Sequence, residues 1–364
     1  MIWKELRLGT FALMASYAIA SLFLGAACAS QHAPEVIAKI GSLGNKEREA
    51  FLVQGAKKEG EVMLYGSSQA NEFNEMIRAF NVRYPFIKGN YFRGQRYGLV
   101  NRVELEWRTK KYTVDIIQSV LYQGAELLER KGLVQQYLSP ERAAYHPLYY
   151  AKDGSWYSYR TLIVALVYNK NLVKPSEVPK AYEDLLHPRW KGQLVFDKVA
   201  DYMIAAWEHA WGKEKTRDYM RKLAAQKPVF HSSHTMEVNL VAAGESPIVI
   251  EVNADSAAEI RDKGAPIEVV LLKPYISKPH AMFLARNAPH PHAAILFHDW
   301  LLSAEGQSVW GKNMGSTIAR KDVSVQYPQF QVDPDFVLSP ETYANRAARE
   351  RYGQEFREIF GLGK

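Results

Sequence analysis

Glu61–Phe80 reads EVMLYGSSQANEFNEMIRAF. Val62 and Leu64 alternate with polar neighbours, which predicts a strand. Phe73, Met76, Ile77 and Phe80 follow at i, i+3, i+4 and i+7, one face of a helix. Gly66, Ser67, Ser68 and Gln69 lie between the two. A strand that passes through a short hydroxyl-rich turn into a helix is the repeating unit of an open α/β sheet. Ligands bind such sheets beyond the carboxyl ends of the strands. Serine here first suggests an N-cap, its oxygen accepting a backbone N–H of the helix. The remaining free N–H groups and the helix dipole also favour an anionic or polar group at the same place.

The same alternation continues outward from this corner. Strands are predicted at Val114–Ser119 (VDIIQS), Thr161–Asn169 (TLIVALVYN), Gln193–Asp197 (QLVFD), Pro247–Val252 (PIVIEV) and Ile267–Leu272 (IEVVLL). Several are unbroken β-branched runs, as expected of strands covered on both faces. Helical stretches separate them, among them DYMIAAWEHAW and HAAILFHDWLLSAEGQ. The pattern predicts an α/β fold with mixed, mostly parallel sheets flanked by helices. The long extended runs at Thr161–Asn169 and Ile267–Ala285 are the candidates for strands that cross between two lobes.

Composition narrows the function classes. The chain has 364 residues, 47% hydrophobic and 23% charged, enough for two cores. Its net charge of +7 is spread without a basic run, so nucleic acid is not implied. Lys4 and Arg7 precede an apolar run from Leu8 to Ala27, and Ala27-Cys28-Ala29 has the form of a cleavage site. This predicts an exported, periplasmic protein with residues 1–29 as signal peptide. A lipid anchor at Cys28 is the alternative. Cys28 is the only cysteine, so thiol catalysis and cysteine metal sites are excluded from the mature chain. No dinucleotide fingerprint, P-loop, G-x-S-x-G elbow or H-E-x-x-H appears. The reading is therefore not an enzyme, with no cofactor and no metal.

Further candidate ligand contacts come from comparable places. VFHSSHTMEVNLVAAGE (Val229–Glu245) is a second hydroxyl-rich helix start, with Ser232 and Ser233 opening a helix that ends at Gly244. His231 and His234 lie three apart, but no Cys or Glu completes a metal set at a recognisable spacing, so capping is the expected role. Ser233 beside His234 is the only local pair that suggests a hydrolase. His290 and His292 read as loop and helix-start residues. Arg93 and Arg96 in YFRGQRYG could grip an oxyanion bidentately. Tyr159 and Arg160 precede the first presumed crossing, Gln118 and Ser119 end a strand, Asp197 ends another, and Glu251, Asn253 and Asp255 end a third.

Several segments together resemble one family. Val167–Phe196 (VYNKNLVKPSEVPKAYEDLLHPRWKGQLVF), Asn287–Gln307 (NAPHPHAAILFHDWLLSAEGQ), Ala56–Ser68 and Asp115–Glu141 are similar, in the same order, to extracellular solute-binding proteins of ATP-binding-cassette importers. The nearest branch includes the periplasmic ferric-iron-binding proteins. The resemblance implies a two-lobed periplasmic-binding-protein type II fold with hinge strands between the lobes. It implies discontinuous lobes, 30–163 with 274–320 and 164–273 with 321–364. It also implies a monomer that captures a small-molecule ligand for an inner-membrane permease and its ATPase. The iron ligands of that branch do not carry over. The paired tyrosines fall on Asn253 and Ala254, the histidine near Gln69, and the carboxylate near Ser119 or Val120. Other relatives in the branch take phosphonates, sugar phosphates, thiamine or other organic solutes. The expected solute is thus a small oxyanion-bearing organic molecule, with ferric iron as the alternative and an exported hydrolase or sensory binding subunit after it. The expected contacts are Ser67, Ser68, Gln69, Arg93, Gln118, Ser119, Tyr159, Arg160, Asp197, Ser232, Ser233 and Asn253.

Overall fold

The computed structural model describes residues 32–94, 97–124, 127, 132–331 and 346–363. The leader-like segment with Cys28, and Arg96, lie outside these residues. Helices α1 (Ala33–Ile40) and α2 (Asn45–Glu59) lead into β1 (Glu61–Gly66), α3 (Ala70–Arg83), β2 (Lys88–Arg93), α4 (Tyr97–Thr109) and β3 (Ile116–Val120). The short β4 (Val134–Gln135) and the long β5 (Tyr157–Asn169) follow. Next come β6 (Leu194–Asp197), α5 (Tyr202–Trp211), α6 (Lys213–Ala225), β7 (Val229–His231), α7 (His234–Ala243), β8 (Ile248–Asn253), α8 (Ala254–Asp262) and β9 (Ile267–Val270). The chain returns through β10 (Ser277–Ala285) to α9 (Pro291–Leu302), and α10 (Arg346–Phe360) comes last.

The corner at Glu61–Phe80 forms as its periodicity predicts. Phe73, Met76 and Phe80 are buried under α3, and the backbone N–H of Gln69 donates to the Glu72 carboxylate at 2.7 Å. That contact caps the helix with an acidic side chain at its positive end. The cap is therefore Gln69 with Glu72, one residue beyond the serines. Gly66 is the last residue of β1, and a Cβ there would sit 2.8 Å from the Tyr91 hydroxyl.

The strands form one mixed sheet in the order β2-β1-β3-β10-β5-β8-β6-β7, with β4 also on β10 and β9 on β5. Parallel pairs occupy both flanks, β2-β1-β3 on one and β8-β6-β7 on the other. The middle is antiparallel: β10 runs opposite to β3 and β5, and β5 runs opposite to β8 and β9. Tyr157–Ile163 of β5 pair with β10, whereas Val164–Asn169 pair with β8 and β9. One strand thus serves two lobes.

Each lobe has its own core. The first gathers Ala33 through Tyr159 and Ala281 through Ala319. The second gathers Val164 through Ile276, joined by Tyr352 and Phe356 of α10. Helix α9 is buried along almost its whole length, as suits its apolar sequence. Its amino end is satisfied by two carboxylates. Glu59 accepts from the N–H groups of His292 (3.2 Å) and Ala293 (2.8 Å), and Asp115 accepts from that of His290 (2.8 Å). His290 and His292 hydrogen-bond the same two acids through Nδ1, which confirms them as helix-start residues.

Candidate functional site

The parallel register brings strand ends together. Gly66 pairs with both Arg93 and Gln118, so Ser67, Arg93 and Ser119 lie at neighbouring strand ends along one edge of the sheet. In the second lobe Asp197 pairs with His231, and Val195 with Val249, which sets Glu251 and Asn253 beside Asp197. Both sets are carboxyl ends of strands, where helix amino ends also lie.

On the first-lobe edge a buried relay supports Ser67. The Tyr159 hydroxyl lies 2.6 Å from His280 Nδ1, and His280 Nε2 lies 3.1 Å from Ser67 Oγ. Burial, then the nearby Arg160 charge, holds His280 well below its ordinary range, so the imidazole is neutral. Burial also holds the Tyr159 phenol above its usual value, so its proton stays on. A neutral imidazole carries one N–H: with it on Nε2, Tyr159 donates to Nδ1, Nε2 donates to Ser67 Oγ, and the Ser67 proton is left for an acceptor outside the relay.

Other donors gather beside it. Arg160 is 7% exposed and pairs with Glu72 at 2.8 Å, stacks on Trp310 with 4.6 Å to the ring centroid, and leaves Nε without a partner. Burial opposes the Glu72 charge, but Arg160, then the Gln69 N–H, hold its carboxyl below the ordinary range, and Arg93 adds to this. The Ser68 hydroxyl is buried without a hydrogen bond, while its carbonyl accepts from Tyr91 at 3.0 Å. Tyr91 stacks on Phe73 at 4.4 Å, and burial followed by the Glu72 charge pushes its phenol up to about 12. Gln69 and Arg93 are exposed at the rim. Gln118 differs from the rest. It is fully buried, with Nε2 4.0 Å from Met76 Sδ beneath α3. Ser119 is buried beside it on β3.

The second-lobe edge is rich in carboxylates. His234 Nε2 lies 3.1 Å from Glu251 Oε2 and 3.4 Å from Asp197 Oδ2. Lys278 Nζ sits 3.3 Å from Glu251 Oε1 and 3.0 Å from the Tyr202 hydroxyl, which itself donates to Glu251. Burial works against ionisation of Glu251, but the charges of His234, then Lys278, hold its carboxyl well below the ordinary range. Burial lowers His234, but the Glu251 charge outweighs it and the imidazole is raised. Burial and then the Glu251 charge raise Asp197, whose Oδ1 accepts from the Val199 N–H at 2.8 Å. Burial, then the Asp197 charge, pushes the Glu237 carboxyl up to about 8.

Ser232 and Ser233 are exposed at the start of α7, where Ser233 Oγ caps the helix by accepting from the Met236 N–H at 3.5 Å. Helix α7 ends at Gly244 in the left-handed region, as the sequence predicts. The His234 imidazole turns towards the two acids. The Ser233–His234 pair that would make a hydrolase is not formed. Asn253 Oδ1 is buried without a partner. Asp255, in the first turn of α8, lies within electrostatic reach of Arg160 in the other lobe.

Sequence reasoning found the strand ends but missed Glu72, His280, Trp310, Glu237 and Lys278. Around His234 the fold gathers side chains that local spacing did not connect. A ligand atom of His234 and one each from Asp197 and Glu237 lie within 4.8 Å of one another. Glu237, three residues along α7, and Asp197, from another strand, complete what local spacing did not show.

Residues 113–331 match the bacterial extracellular solute-binding protein family, and the chain belongs to it. It is 22% identical over 285 residues to iron uptake protein A1 of Synechocystis sp., covering 73% of this chain and 77% of that one. Among solved structures it is similar to the periplasmic binding protein AfuA of Actinobacillus pleuropneumoniae with fructose-6-phosphate bound. The TM-score is 0.68 at 21% identity, covering 84% of this chain and 99% of AfuA. It is also similar to iron-bound HitA of Pseudomonas aeruginosa. There the TM-score is 0.67 at 18% identity, covering 82% of this chain and 99% of HitA. These likenesses give the two-lobed type II periplasmic-binding-protein fold. Proteins of this family bind small ligands and deliver them to ATP-binding-cassette permeases. Among the described residues no helix is long and apolar enough to cross a membrane.

Proposed function

We propose that this solute-binding protein captures a small organic solute through an oxyanion, in the gap between its lobes, and passes it unchanged to an inner-membrane permease and its ATPase. The observation that carries the reading is the Tyr159–His280–Ser67 relay: with the imidazole proton on Nε2, Ser67 has a proton to donate, and the Arg160 charge is close enough to act on His280. The Ser68 hydroxyl, the Arg160 Nε and the first N–H groups of α3 add donors at the same corner. Gln69 and Arg93 form its rim, and Ser119 lies one residue before the end of the adjacent strand. From the second lobe, Asp197, Asn253, Ser232 and Ser233 face the hydroxyl or amine groups of the solute. Gln118 supports α3 from below.

Ferric iron is the second reading, and the names of iron uptake protein A1 and iron-bound HitA speak for it. Ferric iron needs anionic oxygen ligands. Here Asn253 and Ala254 stand where the resemblance puts paired tyrosines. The Tyr91 and Tyr159 phenols keep their protons and are engaged in hydrogen bonds. These points favour the organic anion. The leader-like segment fits export to the periplasm, where the protein acts as a monomer.

Native mass spectrometry of the freshly purified protein, with metal analysis, tests the choice. A thermal-shift screen of sugar phosphates, phosphonates and carboxylates accompanies it. The expected result is a retained or stabilising organic anion. Stoichiometric ferric iron, with no organic anion raising the melting temperature, would overturn the reading.

A further inference from the structure

Glu237 is fully buried, and neither of its carboxylate oxygens has a hydrogen-bond partner. Buried polar atoms in native proteins are normally hydrogen-bonded, so two unpartnered carboxyl oxygens call for a ligand. Its nearest functional neighbours are Asp197 and His234, and the three ligand atoms fall within 4.8 Å of one another. The remaining charged groups at this edge are already committed. Glu251 Oε1 holds Lys278 and Tyr202, and Lys278 Nζ is turned to those two. Asp197 Oδ1 is taken by the Val199 N–H, leaving Oδ2 towards His234. His234 is the one member of the set with substantial exposure, 25% of its side chain, and so marks the way in.

We propose that Asp197, His234 and Glu237 form a binding site for a divalent transition cation in the second lobe. One imidazole nitrogen with two carboxylate oxygens is a borderline donor set that suits Zn²⁺, Mn²⁺ or Fe²⁺. The three ligands arrive from two elements, the end of β6 and the first turn of α7. His234 Nε2 is shared between Glu251 Oε2 at 3.1 Å and Asp197 Oδ2 at 3.4 Å, so a cation ligated by that nitrogen would displace the Glu251 hydrogen bond. The set contains no tyrosine, so it differs in chemistry from a phenolate clamp for ferric iron. The inference goes beyond the solute reading and shares only Asp197 with it.

The test uses the chelator-stripped full protein, titrated with ZnCl2 and with MnCl2 by calorimetry, and with CoCl2 by visible absorption. A single cation per chain is expected, with a Co²⁺ spectrum of a low-symmetry nitrogen–oxygen site. Glu237→Gln preserves shape, and it should weaken Zn²⁺ by at least about tenfold, the scale of losing even an outer-shell partner. His234→Gln should do the same and abolish the Co²⁺ bands. His209→Gln, at an exposed histidine on α5, should change nothing. Melting curves recorded without metal establish that the variants fold. Absence of stoichiometric binding in the wild type, or binding and Co²⁺ bands that survive in both Glu237→Gln and His234→Gln, would overturn the proposal. Organic-anion binding is read separately by thermal shift in chelator, so either reading can fail alone.

Discussion

Ser67 is engaged in a relay with the buried His280 and not in a helix cap. A serine at a helix start ordinarily spends its oxygen on capping, but here Gln69 and Glu72 do the capping. Ser67 is left to the His280 relay. If its hydroxyl donates to a solute oxyanion, Ser67→Ala should cost about 1.5–3 kcal/mol, the worth of a hydrogen bond to a charged group. That is about 10- to 150-fold in Kd. Tyr159→Phe frees the His280 tautomer but leaves Ser67 in place, so its effect on Kd should be smaller. Titration of both variants with the anion found in the thermal-shift screen checks this order. Unchanged affinity in Ser67→Ala would remove the relay from the site. The sequence showed Ser67 and Tyr159 but not His280. A lone histidine in the run SKPHAMFLA carries no local signal, and only the antiparallel pairing of β10 with β3 and β5 brings it under the corner.

Helix α3 and strand β5 are joined at the same corner by Glu72 and Arg160. Burial would lift the Glu72 pKa, but the Arg160 charge and the Gln69 N–H depress it below the unfolded value. A depressed carboxylate stabilises the fold above its unfolded pKa, and that stability is lost as pH falls through the folded value. Wild-type melting temperature should therefore drop on acidification below about pH 4–5, the ordinary glutamate range. Glu72→Gln should lose about 3–5 kcal/mol at neutral pH, because it leaves the buried Arg160 unpaired. It should also flatten the acid limb. Denaturant melts at several pH values would show it, and an unaltered acid limb would mean that Glu72 is not the linked group. This pair was not legible from sequence, since Glu72 and Arg160 lie 88 positions apart. What was legible is local: the period-3.6 face of α3, the unbroken apolar run of β5, and the helix ending at Gly244. The antiparallel middle of the sheet was not, because strand direction is set by where the chain crosses, and an apolar run reads the same in both directions.

The two cores meet along a sheet whose central strands are irregular at the crossing itself. The β5–β8 register shifts between Ala165 and Val167, and the β10–β5 register shifts between His280 and Ala281. Bulges bend a strand and increase its local twist. Here they bracket Ile163–Val164, where β5 leaves one lobe's pairing for the other's. Bending at that point would move the second-lobe carboxylates relative to the Ser67 corner, because the two cores draw on different halves of β5. A solute touching both edges gains its full contacts only when they approach, so it shifts the population by its differential affinity for the closed form. Carrying an ensemble from mostly open to mostly closed takes about 5.5 kcal/mol of such preference. That requires contacts from both lobes, and neither edge alone supplies them. Small-angle scattering should therefore show a smaller radius of gyration on saturation with the solute. In Ser67→Ala the same contraction should need more solute. In a double variant Ser67→Ala with Asp197→Asn, which weakens contacts on both sides, saturation should leave a larger radius than in the wild type. Superimposable profiles for wild type with and without saturating solute would mean that the bulged crossing is a rigid brace, and that the solute is held by one edge.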